Sequence, residues 1–123
     1  MHESSKTTRN TEERIREAAE YLRQSKAIII VEGKKDERAL REMGVEGEVV
    51  TLSRQPIFAV AESVAAQSRD AIILTDLDKE GKKLYGMLNR ALQRLGVRVD
   101  DTIRNFLYKN TTVRQIEGMK IAR

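Results

Sequence analysis

Apolar positions along this chain alternate between two patterns, a helical stripe and a short unbroken run. Ile15, Ala18, Ala19 and Leu22 recur every third or fourth residue, predicting one buried helix face over residues 12–25. Asn10 and Glu13 resemble a capping box at its start, and residues 1–11, polar and without period, are expected to be a mobile leader. Lys26 to Glu32 then reads as a first strand. Asp36 can cap the next helix, with Ala39, Leu40 and Met43 on its inner face and Gly44 as its stop. Glu48 to Leu52 is the second strand, and Pro56 sits in the first turn of a helix that buries Ile57, Val60, Ala61 and Val64.

Ala71 to Thr75 is the third strand. The longest helix begins near Lys79, carries Leu84, Met87, Leu88, Ala91, Leu92 and Leu95 at a helical period, and stops at Gly96. Val97 to Val99 suits a short fourth strand, Asp100-Asp101 can cap a last helix through Leu107, and Val113 to Ile116 is a candidate edge strand. Strands alternating with helices imply βαβ units, hence an α/β fold with a mostly parallel sheet of about four strands between helices. The 123 residues suit one domain: a core over 26–99 and a helical or edge extension over 100–123.

Composition excludes several classes. Without cysteine, disulfides, Cys-based zinc sites and thiol nucleophiles are ruled out. No apolar run approaches the roughly 20 residues a membrane span needs, and no signal-peptide pattern opens the chain, so a cytoplasmic location is expected. The net charge is +4, unevenly spread: Lys82 to Arg123 holds ten Lys/Arg against three Asp/Glu, or +7, leaving −3 elsewhere. An acidic centre beside a basic C-terminal third suits a polyanion held against a metal, although solvated helix faces would produce the same balance.

The candidate chemistry lies where the apolar runs end. Ala27-Ile28-Ile29-Ile30-Val31 runs into Glu32-Gly33, and Ala71-Ile72-Ile73-Leu74-Thr75 into Asp76-Leu77-Asp78-Lys79-Glu80-Gly81. In a parallel sheet all strands open on the same carboxyl edge, so Glu32, Asp76 and Asp78 should gather there. Crowded carboxylates repel unless a cation or shared protons compensate, and hard oxygen ligands favour Mg²⁺ or Mn²⁺. Glu32 beside metal-held carboxylates can titrate upward and transfer a proton. Gly33 and Gly81 permit a phosphate to approach the backbone, while Lys34, Lys35, Arg38 and Arg54 could meet its oxygens. Lys79, Lys82 and Lys83 extend this candidate phosphate-binding set. The blander alternatives are a capped surface loop for Asp76-Leu77-Asp78 and solvated charges for the lysines. The few scattered aromatics form no evident stacking platform, and Tyr21, Tyr85 and Tyr108 read as packing residues.

Together, Val31-Glu32-Gly33-Lys34-Lys35-Asp36 and Thr75-Asp76-Leu77-Asp78-Lys79-Glu80-Gly81 resemble the Toprim (topoisomerase–primase) domain, over about Lys26 to Gly96. The resemblance is nearest to small stand-alone archaeal Toprim proteins and to ribonucleases that mature 5S ribosomal RNA. It implies a compact, Rossmann-like three-layer sandwich, with Asp76 and Asp78 holding Mg²⁺ and Glu32 acting as general acid/base or completing the metal shell. Ile116-Glu117-Gly118 is similar to a late acidic segment of those ribonucleases, so Glu117 could add a carboxylate. The length leaves no room for a topoisomerase's tyrosine-bearing gate, and the missing cysteines exclude the zinc-bearing relatives.

The leading expectation is therefore a Mg²⁺-dependent nuclease or phosphotransferase acting on structured RNA or DNA. A non-catalytic nucleic-acid-binding module of a larger complex is the alternative, and a small-molecule phosphatase a third. A protein partner or a homodimer is compatible with each.

Overall fold

The computed structural model of the chain describes residues 3–111, 114–116, 118 and 119. Its sheet is built from the apolar runs. Ile28–Val31 (β1), Val49–Thr51 (β2), Asp70–Ile73 (β3) and Arg98–Val99 (β4) are joined in the order β2-β1-β3-β4, every pair parallel. Register sets Ile29 and Ile30 opposite Val49 and Val50 on one side, and opposite Ile72 and Ile73 on the other. A central strand covered on both faces has no solvent side, which is why β1 is apolar at every position and buried throughout.

Among the described residues, five helices cover the sheet: α1 (Glu3–Gln24), α2 (Lys34–Glu42), α3 (Ile57–Gln67), α4 (Lys79–Arg94) and α5 (Thr102–Asn110). Side-chain alternation along the strands divides the core in two. Ile29, Val31, Ile72 and Leu74 pack with Ile15, Ala18, Ala19 and Leu22 of α1, Ala39 and Leu40 of α2, and Ile103 and Leu107 of α5. Ile28, Ile30, Ala71 and Ile73 point the other way, onto Val60, Ala61 and Val64 of α3 and Leu88 and Leu92 of α4. The result is the three-layer α/β sandwich that the alternation predicts.

Two helix ends follow from single glycines. Gly44 and Gly96 have φ of +96° and +83°, the left-handed region open to glycine, and each closes its helix in a Schellman turn. There Val45 N donates to Leu40 O, and Val97 N to Leu92 O, both at 3.0 Å.

Three expectations need correction. Helix α1 starts at Glu3, not after Asn10, so the segment expected as a leader is largely helical. No Gly or Pro interrupts Glu3–Gln24, so no breaker stops the helix from extending back past Asn10. Asp36 lies inside α2 instead of capping it from outside, and its carboxylate accepts a hydrogen bond from Gly33 N at 3.1 Å. Finally, Arg114–Ile116 form no strand. Ile116 and Met119 are instead buried in the core beside α1 and α5, which draws this segment across the layer away from a sheet edge. Val113 and Glu117 lie outside the described residues.

Candidate functional site

The strand order reverses direction between β1 and β3. From β1 the chain steps outward through α2 to β2, then crosses back through α3 to β3 and continues to β4. Helices α2 and α3 therefore leave the sheet on opposite faces. Such a switch point opens a crevice at the carboxyl ends of the strands. Glu32 follows β1 directly, and Asp76 lies three residues beyond β3.

Both carboxylates line one open cleft of about 380 Å³, together with Gly33, Lys34, Lys35, Asp36 and Gln115. The backbone N–H of Asp76 donates to Glu32 Oε2 at 2.8 Å, tying the two strand ends together. Asp76 is partly desolvated and faces Glu32, Asp36 and Asp78. Burial first, and then these three negative charges, push its carboxyl up from 3.8 to about 6; Arg104 opposes the shift.

Arg104 is the residue that sequence reading missed. It is buried at 8% exposure in α5, beneath the site. Its guanidinium donates to Thr75 O at 2.5 Å, Thr75 Oγ1 at 3.0 Å and Asp76 O at 3.2 Å, and stacks 4.5 Å from the Tyr85 ring centroid. Burial presses its pKa down, against the upward pull of Tyr85, Glu32 and Asp76. A lone arginine beside Ile103 in a helix gives no pattern from which this role could be read. Gln115 was missed for a similar reason: Leu77 N donates to Arg114 O at 2.8 Å and so draws the later segment over the cleft.

Asp78 has a different task from its neighbours. Its Oδ1 accepts from Gly81 N at 2.7 Å and caps α4. The capped-loop alternative thus applies to Asp78, while Asp76 faces the cleft. Gly81 is also explained otherwise than by phosphate approach. Its N–H is taken by Asp78, and a Cβ there would lie 1.9 Å from Asp76 O, so its missing side chain admits the Asp76 backbone. Thr75 Oγ1 donates to Gly81 O at 2.7 Å on the same contact. Gly33 faces open space, since an added Cβ would meet nothing within 4 Å.

Of the basic set, Lys34 and Lys35 line the cleft. Arg38, Lys79 and Lys83 are exposed on α2 and α4, outside the cleft lining. Arg54 is exposed in the turn after β2, with Ser53 and Arg54 both left-handed at φ 37° and 68°. Ser53 N donates to Glu32 O at 3.1 Å, which fastens this strained turn to the end of β1. Lys82 turns instead toward Tyr108, its Nζ 4.9 Å from the ring centroid.

The expected three-carboxylate metal shell is not assembled. Among the described residues, no group of three or more His, Cys, Asp or Glu side chains could hold a metal ion. Beside Asp36, whose carboxylate accepts from Gly33 N, the crevice offers the pair Glu32 and Asp76. Such a pair fits Mg²⁺, which keeps several waters and usually needs only one or two carboxylates plus phosphate oxygens of a substrate. No helix among the described residues is long and apolar enough to cross a membrane.

No family model matches the chain. It is similar to a UPF0292 protein of Methanocaldococcus jannaschii, 36% identical over 94 residues that cover 74% of this chain and 73% of that protein. A UPF0292 protein of Pyrococcus abyssi is 40% identical over 99 residues, 80% of this chain and 74% of that protein. A solved structure from Aquifex aeolicus matches with a TM-score of 0.74 and 33% identity, covering 89% of this chain and 98% of that one. None of these carries a Toprim name. The Toprim resemblance is drawn from the Glu32-Gly33 and Asp76–Gly81 motifs, whereas these matches extend over about a hundred residues. It is corrected by these relatives: the chain belongs to the UPF0292 family.

Proposed function

We propose that this protein carries out Mg²⁺-assisted phosphodiester chemistry on nucleic acid at the Glu32–Asp76 crevice. The observation that carries the reading is the carboxyl of Asp76, pushed up to about 6 beside Glu32 at a switch-point crevice. A carboxyl raised by burial and by neighbouring negative charge gains from a cation, and the lysines on the same cleft suit the phosphate oxygens that would accompany one. Asp76 and Glu32 would hold the ion, which when bound would orient the phosphodiester and offset charge on the leaving oxygen. Lys34 and Lys35 would bind phosphate. Glu32, whose Oε2 is steadied by the Asp76 N–H, would exchange the proton with the attacking or leaving group.

A second reading has its own support. Asp78 is committed to capping α4 and Asp36 accepts from Gly33 N, leaving Glu32 and Asp76 where a preformed metal cage would use more. That favours a module that binds nucleic acid without turnover. Incubating the protein with labelled structured RNA and with DNA, with Mg²⁺ or with chelator, separates the two. Cleavage abolished by chelator, and cut about 10²–10⁴-fold by Glu32→Gln, supports the nuclease reading. Binding without cleavage supports the second, and neither binding nor cleavage overturns both.

A further inference from the structure

Three elements meet around Tyr108. It lies near the end of α5 and is 49% exposed, a large share for an aromatic ring otherwise able to pack. Lys82, from the first turn of α4, brings its Nζ 4.9 Å from the ring centroid and 3.5 Å from the hydroxyl. Arg114, from the segment after α5, brings its guanidinium carbon 5.4 Å from the same centroid. The cluster is coupled to the acidic crevice through the backbone. Arg114 O accepts from Leu77 N, next in sequence to Asp76, and Gln115 lines the cleft with Glu32 and Asp76.

We infer that Tyr108, Lys82 and Arg114 form a stacking platform for an unpaired nucleotide, so that the strand entering the crevice is single-stranded there. This rests on the reading of the crevice as a phosphodiester site and narrows its substrate class. A half-exposed ring with two cations over it offers aromatic and positive surface together, which matches a base and its phosphates in a single strand. The Arg114 guanidinium over the ring is itself a stacking surface, because guanidinium planes also stack on bases. A continuous duplex would satisfy only the cations, since its bases present their faces to one another. An apolar protein partner would have to desolvate both cations without compensating them. Leu107 and Ile103 of the same helix are buried in the core, so the platform sits on an anchored element.

The test is binding in chelator, where cleavage cannot consume the probe. Labelled single-stranded RNA and DNA oligonucleotides are titrated by anisotropy beside a blunt duplex of the same sequence. Tighter binding of a single strand than of the duplex is expected. Tyr108→Ala should weaken single-strand binding by about 5- to 150-fold, the usual worth of one stacked base, and leave duplex binding unchanged. Tyr108→Phe keeps the stacking face and should bind as the parent does. Lys82→Gln with Arg114→Gln should weaken both probes and flatten the salt dependence. Melting curves of each variant exclude loss of fold. Equal affinity for strand and duplex, untouched by Tyr108→Ala, overturns the platform even if Mg²⁺-dependent cleavage is found. Tyr108-dependent strand binding with no cleavage under Mg²⁺ upholds the platform and sinks the nuclease reading alone.

Discussion

The main-chain N–H of Asp76 donates to the side chain of Glu32 across the crevice, at 2.8 Å and 44 residues apart in sequence. The bond makes the position of each acidic residue depend on the other. Glu32 is steered by the backbone that carries Asp76, and that backbone is itself held from below by Arg104. Changes to either acid therefore act on a coupled unit.

The first prediction concerns stability and pH. The folded state keeps a proton on Asp76 up to about 6, whereas the unfolded chain releases it near 3.8. The folded state binds more protons within that window, so this group's contribution is full below 3.8 and is lost as pH rises through 6. Asp76→Asn removes the penalty and should stabilise the protein at pH 7 by about 1 kcal/mol, after discount for the partly solvated position. Urea midpoints should show the gain at pH 7 and its disappearance toward pH 4. An equal gain at both pH values would mean that the charge is not its source.

Mg²⁺ should raise the melting temperature of the parent protein and do so far less in Asp76→Asn or Glu32→Gln, because binding to the folded state alone stabilises it. Mn²⁺ should act in the same way. A shift of equal size in all three proteins would place the ion elsewhere.

Asp78 and Asp76 should separate cleanly. Asp78→Ala removes the cap of α4 and should cost about 1 kcal/mol at any Mg²⁺ concentration, read from denaturant unfolding. If Asp78→Ala instead leaves stability intact and abolishes the Mg²⁺ response, its side chain serves the ion and not the helix.

The two glycines should respond in opposite ways. A methyl at Gly81 would fall 1.9 Å from Asp76 O, so Gly81→Ala must displace α4 or the Asp76 backbone. A loss of about 3 kcal/mol or more is expected, at the upper end for single substitutions. Gly33 is extended, at φ −150°, with nothing within 4 Å of an added Cβ, so Gly33→Ala should fold like the parent. Any loss of nucleic-acid binding in that soluble, stable variant would report a ligand using the space.

Arg104→Met should destabilise by about 2–4 kcal/mol, since it strips a buried charged donor from Thr75 O and Asp76 O. Arg104→Lys should recover only part of this, because an ammonium cannot span both carbonyls as the guanidinium fork does. Full recovery by lysine would reduce Arg104 to a simple positive charge.

Much of this molecule was legible in its one-dimensional pattern. Ile28 to Val31 must be buried on both faces because no polar residue interrupts them, and from that follow a parallel sheet, crossover helices and acids at a common edge. Gly44 and Gly96 marked two helix ends because few other residues adopt their φ. The region around Asn10 misled, since a local capping pattern does not end a helix where no Gly or Pro breaks the chain before it.

What the tertiary structure alone decided is the division of labour among residues that look alike on paper. Asp76 and Asp78 are two residues apart, yet one faces the cleft and the other caps a helix, because Gly81 packs against the Asp76 backbone and draws Asp78 to its N–H. Arg104, Tyr108, Arg114 and Gln115 come from beyond residue 100 and reach their partners only when α5 and the segment after it close over the sheet. Periodicity reports which face of an element is buried. It carries no record of which distant side chain fills the space opposite, because that depends on contacts whose sequence separation is set by the fold.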